Sequence, residues 1–191
     1  MPAAPSLRRL QAMVDDSTVA KSPSSTTATL APGQIPSHRW ISFGGETLAL
    51  SIDLAERRYP TPTEINKFHN LVELYSAYTK TCLISVTLPQ YGYDVPKSNH
   101  GRILFNLVSA LNRFTRVARL EVIIRMPRAN FKQLLNAGHF YRLDFEEWKL
   151  FYKIGSEDPQ QIHATSSTDR RLYNWYNVNI ARIAEPRGPN P

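Results

Sequence analysis

The stretch TRVARLEVIIRMP, residues 115–127, decides the fold, because its pattern occurs 36 residues earlier as TKTCLISVTLP, residues 79–89. In each, a polar lead-in gives way to aliphatic side chains at every second position: Leu120, Val122 and Ile124 in one, Ile84, Val86 and Leu88 in the other. Side chains alternate across a β-strand, so both stretches read as strands with one apolar face. Two further runs keep the pattern, with Leu48, Leu50 and Ile52 before them and Trp148, Leu150 and Tyr152 after. The steps from 48 to 84 to 120 to 148 are 36, 36 and 28 residues.

Helical periodicities fill the intervals. Thr61, Pro62 and Glu64 form a capping box with a proline start, and Ile65, Phe68, Val72 and Tyr75 then recur on one face. Ile103, Leu104, Leu107, Val108, Leu111 and Phe114 give a second stripe. A third, shorter helix is expected from Asn130, with Gln133 in the capping-box position and Gly138 as the residue that ends it. Leu172, Trp175 or Tyr176, Ile180 and Ile183 mark a closing helix. Ahead of these elements, RWISFGGETLALSIDL reads as a hairpin turning at Gly44-Gly45, with Ile41 facing Leu48.

The organisation implied is a single α/β domain over residues 38–184, built of repeated βα units with a mostly parallel sheet of about five strands, an N-terminal β-hairpin and a C-terminal helix. Lys149 and Lys153 suggest that the strand WKLFYKI lies at an exposed edge. Residues 1–37 are rich in Ser, Thr, Ala and Pro and poor in large apolar side chains, and residues 185–191, EPRGPNP, hold no large apolar side chain; both are expected to be disordered tails. Ser22-Pro23 is a linker-type dipeptide that also suits phosphorylation. The first twenty residues lack the apolar core of a secretory signal, and Asp15 and Asp16 argue against a mitochondrial presequence.

The segment LVSALNRFTRVARLEVIIRMP, residues 107–127, runs helix, turn, strand and resembles the leucine-rich repeats of substrate-adaptor proteins. That resemblance implies, as an alternative architecture, a short curved solenoid. The Asn or Cys that such repeats carry after the strand is missing here.

Chemistry-bearing patterns are sparse. His38, His69, His100, His139 and His163 are scattered without metal-ligand spacing and read as surface or capping histidines. No cofactor is expected. Cys82 is the only cysteine, which excludes an internal disulfide and favours a reducing compartment, cytoplasmic or nuclear. There is no GxSxG elbow and no phosphate-binding glycine loop. DFEEW places Asp144, Glu146 and Glu147 before a strand, where paired carboxylates suit acid/base work or simply a solvated loop.

Charge is the strongest remaining signal. From Lys97 to Arg128 the chain carries Lys97, Arg102, Arg113, Arg116, Arg119, Arg125 and Arg128 against Glu121 alone, within a total of +7. Arg113 and Arg116 follow a helix, while Arg125 and Arg128 close the next strand, so the reading brings them together at one end of the sheet, with Arg102 beside them. Such a patch suits an acidic protein surface or nucleic acid, with no membrane involved. Tyr91, Tyr93, Tyr173, Trp175 and Tyr176 are available for base stacking, although no RNP-type motif arranges them. The function expected is a non-catalytic protein-interaction or adaptor-like module using this basic surface, with nucleic-acid binding, or an enzyme with an unrecognised site, as alternatives. Cations near a helix end also stabilise the helix itself.

Overall fold

A computed structural model of the chain describes residues 30–55, 60–90 and 99–184, apart from the side chains of 99 and 180–184. Ser22-Pro23, Tyr91, Tyr93, Lys97 and the C-terminal segment therefore lie outside the described residues. Within them the chain forms one six-stranded sheet in sequence order: β1 Ile41–Gly44, β2 Thr47–Asp53, β3 Thr81–Thr87, β4 Arg119–Met126, β5 Trp148–Ile154 and β6 Gln160–Ile162. β2 to β5 pair in parallel, while β1 and β6 pair antiparallel at the two edges. The α/β class, the mostly parallel sheet, the strand-turn-strand start and the closing helix are as expected. β6, three residues long and polar but for Ile162, adds the sixth strand. It also removes β5 from the edge where Lys149 and Lys153 had suggested it lay.

The connections are not alike. α1 Pro62–Leu74 and α2 Asn99–Leu111 are 13 residues each. Between β4 and β5 stand a single turn, α3 Phe131–Leu134, and a 3-10 helix, Leu135–Arg142. α4 Ser167–Ala184 closes the chain. The α1 start is the expected box: the Glu64 amide donates to Thr61 Oγ1 at 3.2 Å and the Thr61 amide donates to Glu64 Oε2 at 2.7 Å. At α3 the box is not made, because Gln133 instead donates from Nε2 to the Pro89 carbonyl at 2.7 Å.

Gly138 does not end a helix. It lies within the 3-10 segment, buried, where a Cβ would sit 2.6 Å from the Trp175 ring atoms of α4. Glycine is required there by the close approach of α4.

The register corrects the echo. Leu48 pairs with Cys82, Cys82 with Leu120 and Leu120 with Trp148, so Ile84 sits one pair further along, beside Leu50, Val122 and Leu150. The hairpin shifts likewise: Ile41 pairs with Leu50 and Phe43 with Leu48, with the turn at Gly45, whose φ of +55° suits glycine. Both slips are of two residues, the side-chain period of a strand, so every residue keeps its face.

That shared face holds the core. Leu48, Leu50, Ile84, Val86, Leu120, Val122 and Ile124 are buried against Phe68, Leu104, Leu107 and Phe140 from the helical layer. Ile35 and Trp40 join it from the N-terminal side; the chain is therefore packed from before residue 38.

Candidate interaction surface

All the helices pack on one face of the sheet, since the buried positions of β2, β3 and β4 share one parity and the alternate positions are half-buried or exposed. Parallel sheets are almost always covered on both faces. Here no described element covers the second face. Its rows follow from the register: Thr47, Thr81 and Arg119; Ala49, Leu83, Glu121 and Lys149; Ser51, Ser85, Ile123, Phe151 and Gln161; Asp53, Thr87, Arg125 and Lys153. A patch of Leu83, Ile123 and Phe151 occupies the middle. Leu83 is 37% exposed, unusual for a strand leucine in a parallel sheet.

The cations on this face gather on β4 and β5, with Asp53 of β2 at the far end of the last row. Arg119 is tied to Glu121 at 2.9 Å. Arg125 is exposed and donates from Nε to Ser85 Oγ of β3 at 2.6 Å. Lys153 lies directly beside it in register, and Lys149 is exposed two rows back along β5, beyond Phe151. Neither lysine has an ion-pair partner among the described residues.

The five arginines singled out from sequence do not converge. Arg113 lies beyond the end of α2 and donates to both Glu73 carboxylate oxygens at 2.8 Å. Arg116 donates to the Ala77 carbonyl at 2.7 Å. Both therefore stand at the amino ends of β3 and β4, where they tie the end of α1 to the lead-in of β4. Arg125 and Arg128 stand at the carboxyl end of β4, separated from Arg116 by the strand itself, roughly 20 Å at about 3.3 Å per residue. Arg102 lies in the first turn of α2, exposed, at that same carboxyl end but on the helical layer. Sequence reasoning read Lys149 and Lys153 as markers of an edge strand and did not group them with the arginines. Their signal was present as the polar half of the β5 alternation.

Two histidines read as surface residues are buried. His69 faces the Ile103 carbonyl through Nε2 at 3.1 Å, and burial lowers its pKa to about 4. His139 is 2% exposed, and burial, aided by the nearby Arg142 guanidinium, also lowers its pKa to about 4. Both are neutral at pH 7. Cys82 is fully buried in β3, which pushes its thiol up to about 12 and keeps it protonated. Among the described residues no three His, Cys, Asp or Glu side chains come together as metal ligands. No helix among them is long and apolar enough to cross a membrane.

A second concavity, about 1110 Å³, opens at the amino ends of β4 and β5 beside the start of α4. Arg119, Tyr141, Glu146, Glu147, Trp148, Lys149, Asp169 and Tyr173 are among its lining residues. Among the described residues no histidine, cysteine or serine lines it.

Comparison of the chain with protein-family models, curated proteins and solved structures finds no match.

Proposed function

We propose that this chain is a non-catalytic protein-interaction module, adaptor-like in role, whose uncovered sheet face and adjoining basic rim hold an acidic segment of a partner protein. The observation that carries the reading is the open face of the parallel sheet, with an apolar centre at Leu83, Ile123 and Phe151 flanked by cations on β4 and β5. Burying that centre under a partner supplies affinity, and the cations select the sign of the occupant. Size argues for a segment rather than a globular surface. The parallel strands β2 to β5, about 4.8 Å apart and roughly 20 Å long, offer on the order of 400 Å², less than the ~800 Å² per partner of a standard interface.

Arg125, Lys153 and Lys149 are the anchors on the face, with Arg128 and Arg102 on the rim at the carboxyl ends of the strands. Arg113 and Arg116 are assigned to tying the end of α1 and the turn after it to the lead-in of β4. The repeated βα unit, with the leucine-rich-repeat-like solenoid as its alternative, belongs to the same proposal. It is supported by the matching lengths of α1 and α2 and by the sequential order of the parallel strands. A partner in the cytoplasm or nucleus suits the lone buried thiol.

Calorimetric titration of the chain with a short Asp/Glu-rich peptide carrying two or three aliphatic side chains tests the proposal. The peptide is expected to bind, the pair Arg125→Glu and Lys153→Glu to weaken it at least about tenfold, and Arg113→Ala to leave it unchanged. Equal binding by the reversed pair would overturn the assignment. Binding of oligonucleotides instead, with a log–log salt slope of about one unit per phosphate contact, would move the face to nucleic acid.

A further inference from the structure

The concavity beside α4 differs in charge and in lining from the open face. Three aromatic rings stand around it at angles to one another: Tyr141 meets Trp148 edge to face, with centroids 5.7 Å apart, and meets Tyr173 tilted at 5.9 Å. Tyr141 is fixed, since its hydroxyl donates to Asp169 Oδ1 at 2.6 Å while Asp169 Oδ2 accepts from the Thr165 amide at 3.1 Å. The loop bearing Glu146 and Glu147 is held as well, because the Asp144 amide donates to Asn112 Oδ1 at 3.0 Å and Asn112 in turn donates to the Arg142 carbonyl at 2.8 Å.

Glu146 and Glu147 are exposed at the mouth and form no ion pair with a described residue. Of the two cations in the lining, Arg119 is already paired with Glu121 at 2.9 Å, which leaves Lys149. The groove is thus net negative in a chain that is net +7. Long-range attraction does not bring cations to such a protein, so a cation that binds is recognised locally.

The geometry points to a binding groove for a basic protein segment, in which an arginine side chain of the partner lies against the faces of Tyr141, Trp148 and Tyr173 with its guanidinium paired to Glu146 or Glu147. Aromatic faces attract a guanidinium through their quadrupole, and a planar guanidinium both stacks on rings and accepts a two-pronged carboxylate pairing. Tyr141 is the floor: burial, with its hydrogen bond to Asp169, raises its pKa, so it stays a neutral phenol under any cation. Lys149 lines this groove and also faces the open sheet surface, and it marks the border between the basic face and the acidic groove.

The test is fluorescence anisotropy of the full chain with a labelled Arg/Ser/Gly peptide, against the same peptide with Arg replaced by citrulline. Variants Glu146→Gln with Glu147→Gln, and separately Tyr173→Ala, are exposed changes that leave the core intact. The inference expects the Arg peptide to bind, the citrulline peptide to bind at least about tenfold more weakly, and each variant to lose affinity by a similar factor. No binding of the Arg peptide, or binding that both variants leave unchanged, overturns it. Because the probe and the altered residues differ from those of the acidic-peptide titration, either proposal can fail while the other stands.

Discussion

Leu120 and Arg119 are neighbours in sequence and live in opposite surroundings. Leu120 is 1% exposed under the helices; Arg119 lies on the other side of the same strand in water, holding Glu121. The same division runs through β2, β3 and β4, so one sheet presents a close-packed face and one that no described element covers. Packing specifies the first face. The second carries a patch of Leu83, Ile123 and Phe151 with cations beside it.

The largest expected effect breaks the packed side. Leu120→Ala is expected to cost about 2–5 kcal/mol by urea unfolding, whereas Ile123→Ala on the open side costs under about 1 kcal/mol. Comparable losses would mean that the second face is also packed. Next comes pH. His69 and His139 have folded pKa values near 4, below the 6.5 of an unfolded histidine. The unfolded chain therefore binds more protons, and their contribution is complete above pH 6.5 and lost on acidification toward pH 4. Each steepens the fall in stability by up to about 1.4 kcal/mol per pH unit in that window. His139→Leu is expected to flatten the profile between those limits; an unchanged slope would remove His139 from the account.

Gly138→Ala presses a methyl group into the Trp175 ring and is expected to lower stability by about 1–3 kcal/mol, partly restored by Trp175→Leu. No recovery in the double variant would place the strain elsewhere. The smallest effect separates the arginines: Arg113→Ala removes an exposed ion pair with Glu73 and is expected to cost about 0.2–1 kcal/mol of stability with no loss of acidic-peptide affinity. Arg125→Glu should do the reverse.

Much of the fold was legible because alternation and the helical stripe are direct consequences of burial. All six stripe residues of α2 and its exit are buried, and the α1 box is formed as the sequence implies. Register was legible only to within two residues: a face pattern has period two and says nothing about which pair lies abreast. β6 was missed because Gln160–Ile162 offers one apolar residue and no alternation to detect. Gly138 looked like a stop signal, since the sequence gives no sign that Trp175, 37 positions on, packs against it.

The arginine cluster failed for a topological reason. A helix that precedes a strand ends where the strand begins, so residues after α2 and residues after β4 lie at opposite ends of the sheet. The polar half of each strand, which read only as the solvent side, turned out to hold the candidate surface. Glu146, Glu147 and Tyr173 were visible separately, but their shared groove depends on β5 and α4 starting side by side.

The contrast between the two faces is tested most directly by amide NMR of the chain titrated with the Asp/Glu-rich peptide. The account predicts that shift changes concentrate on β4 and β5 around Ile123, Arg125, Phe151 and Lys153, with α1 and the Arg113–Arg116 turn unmoved. Changes centred on the helical layer or on Arg113 and Arg116, with the open face silent, would contradict it.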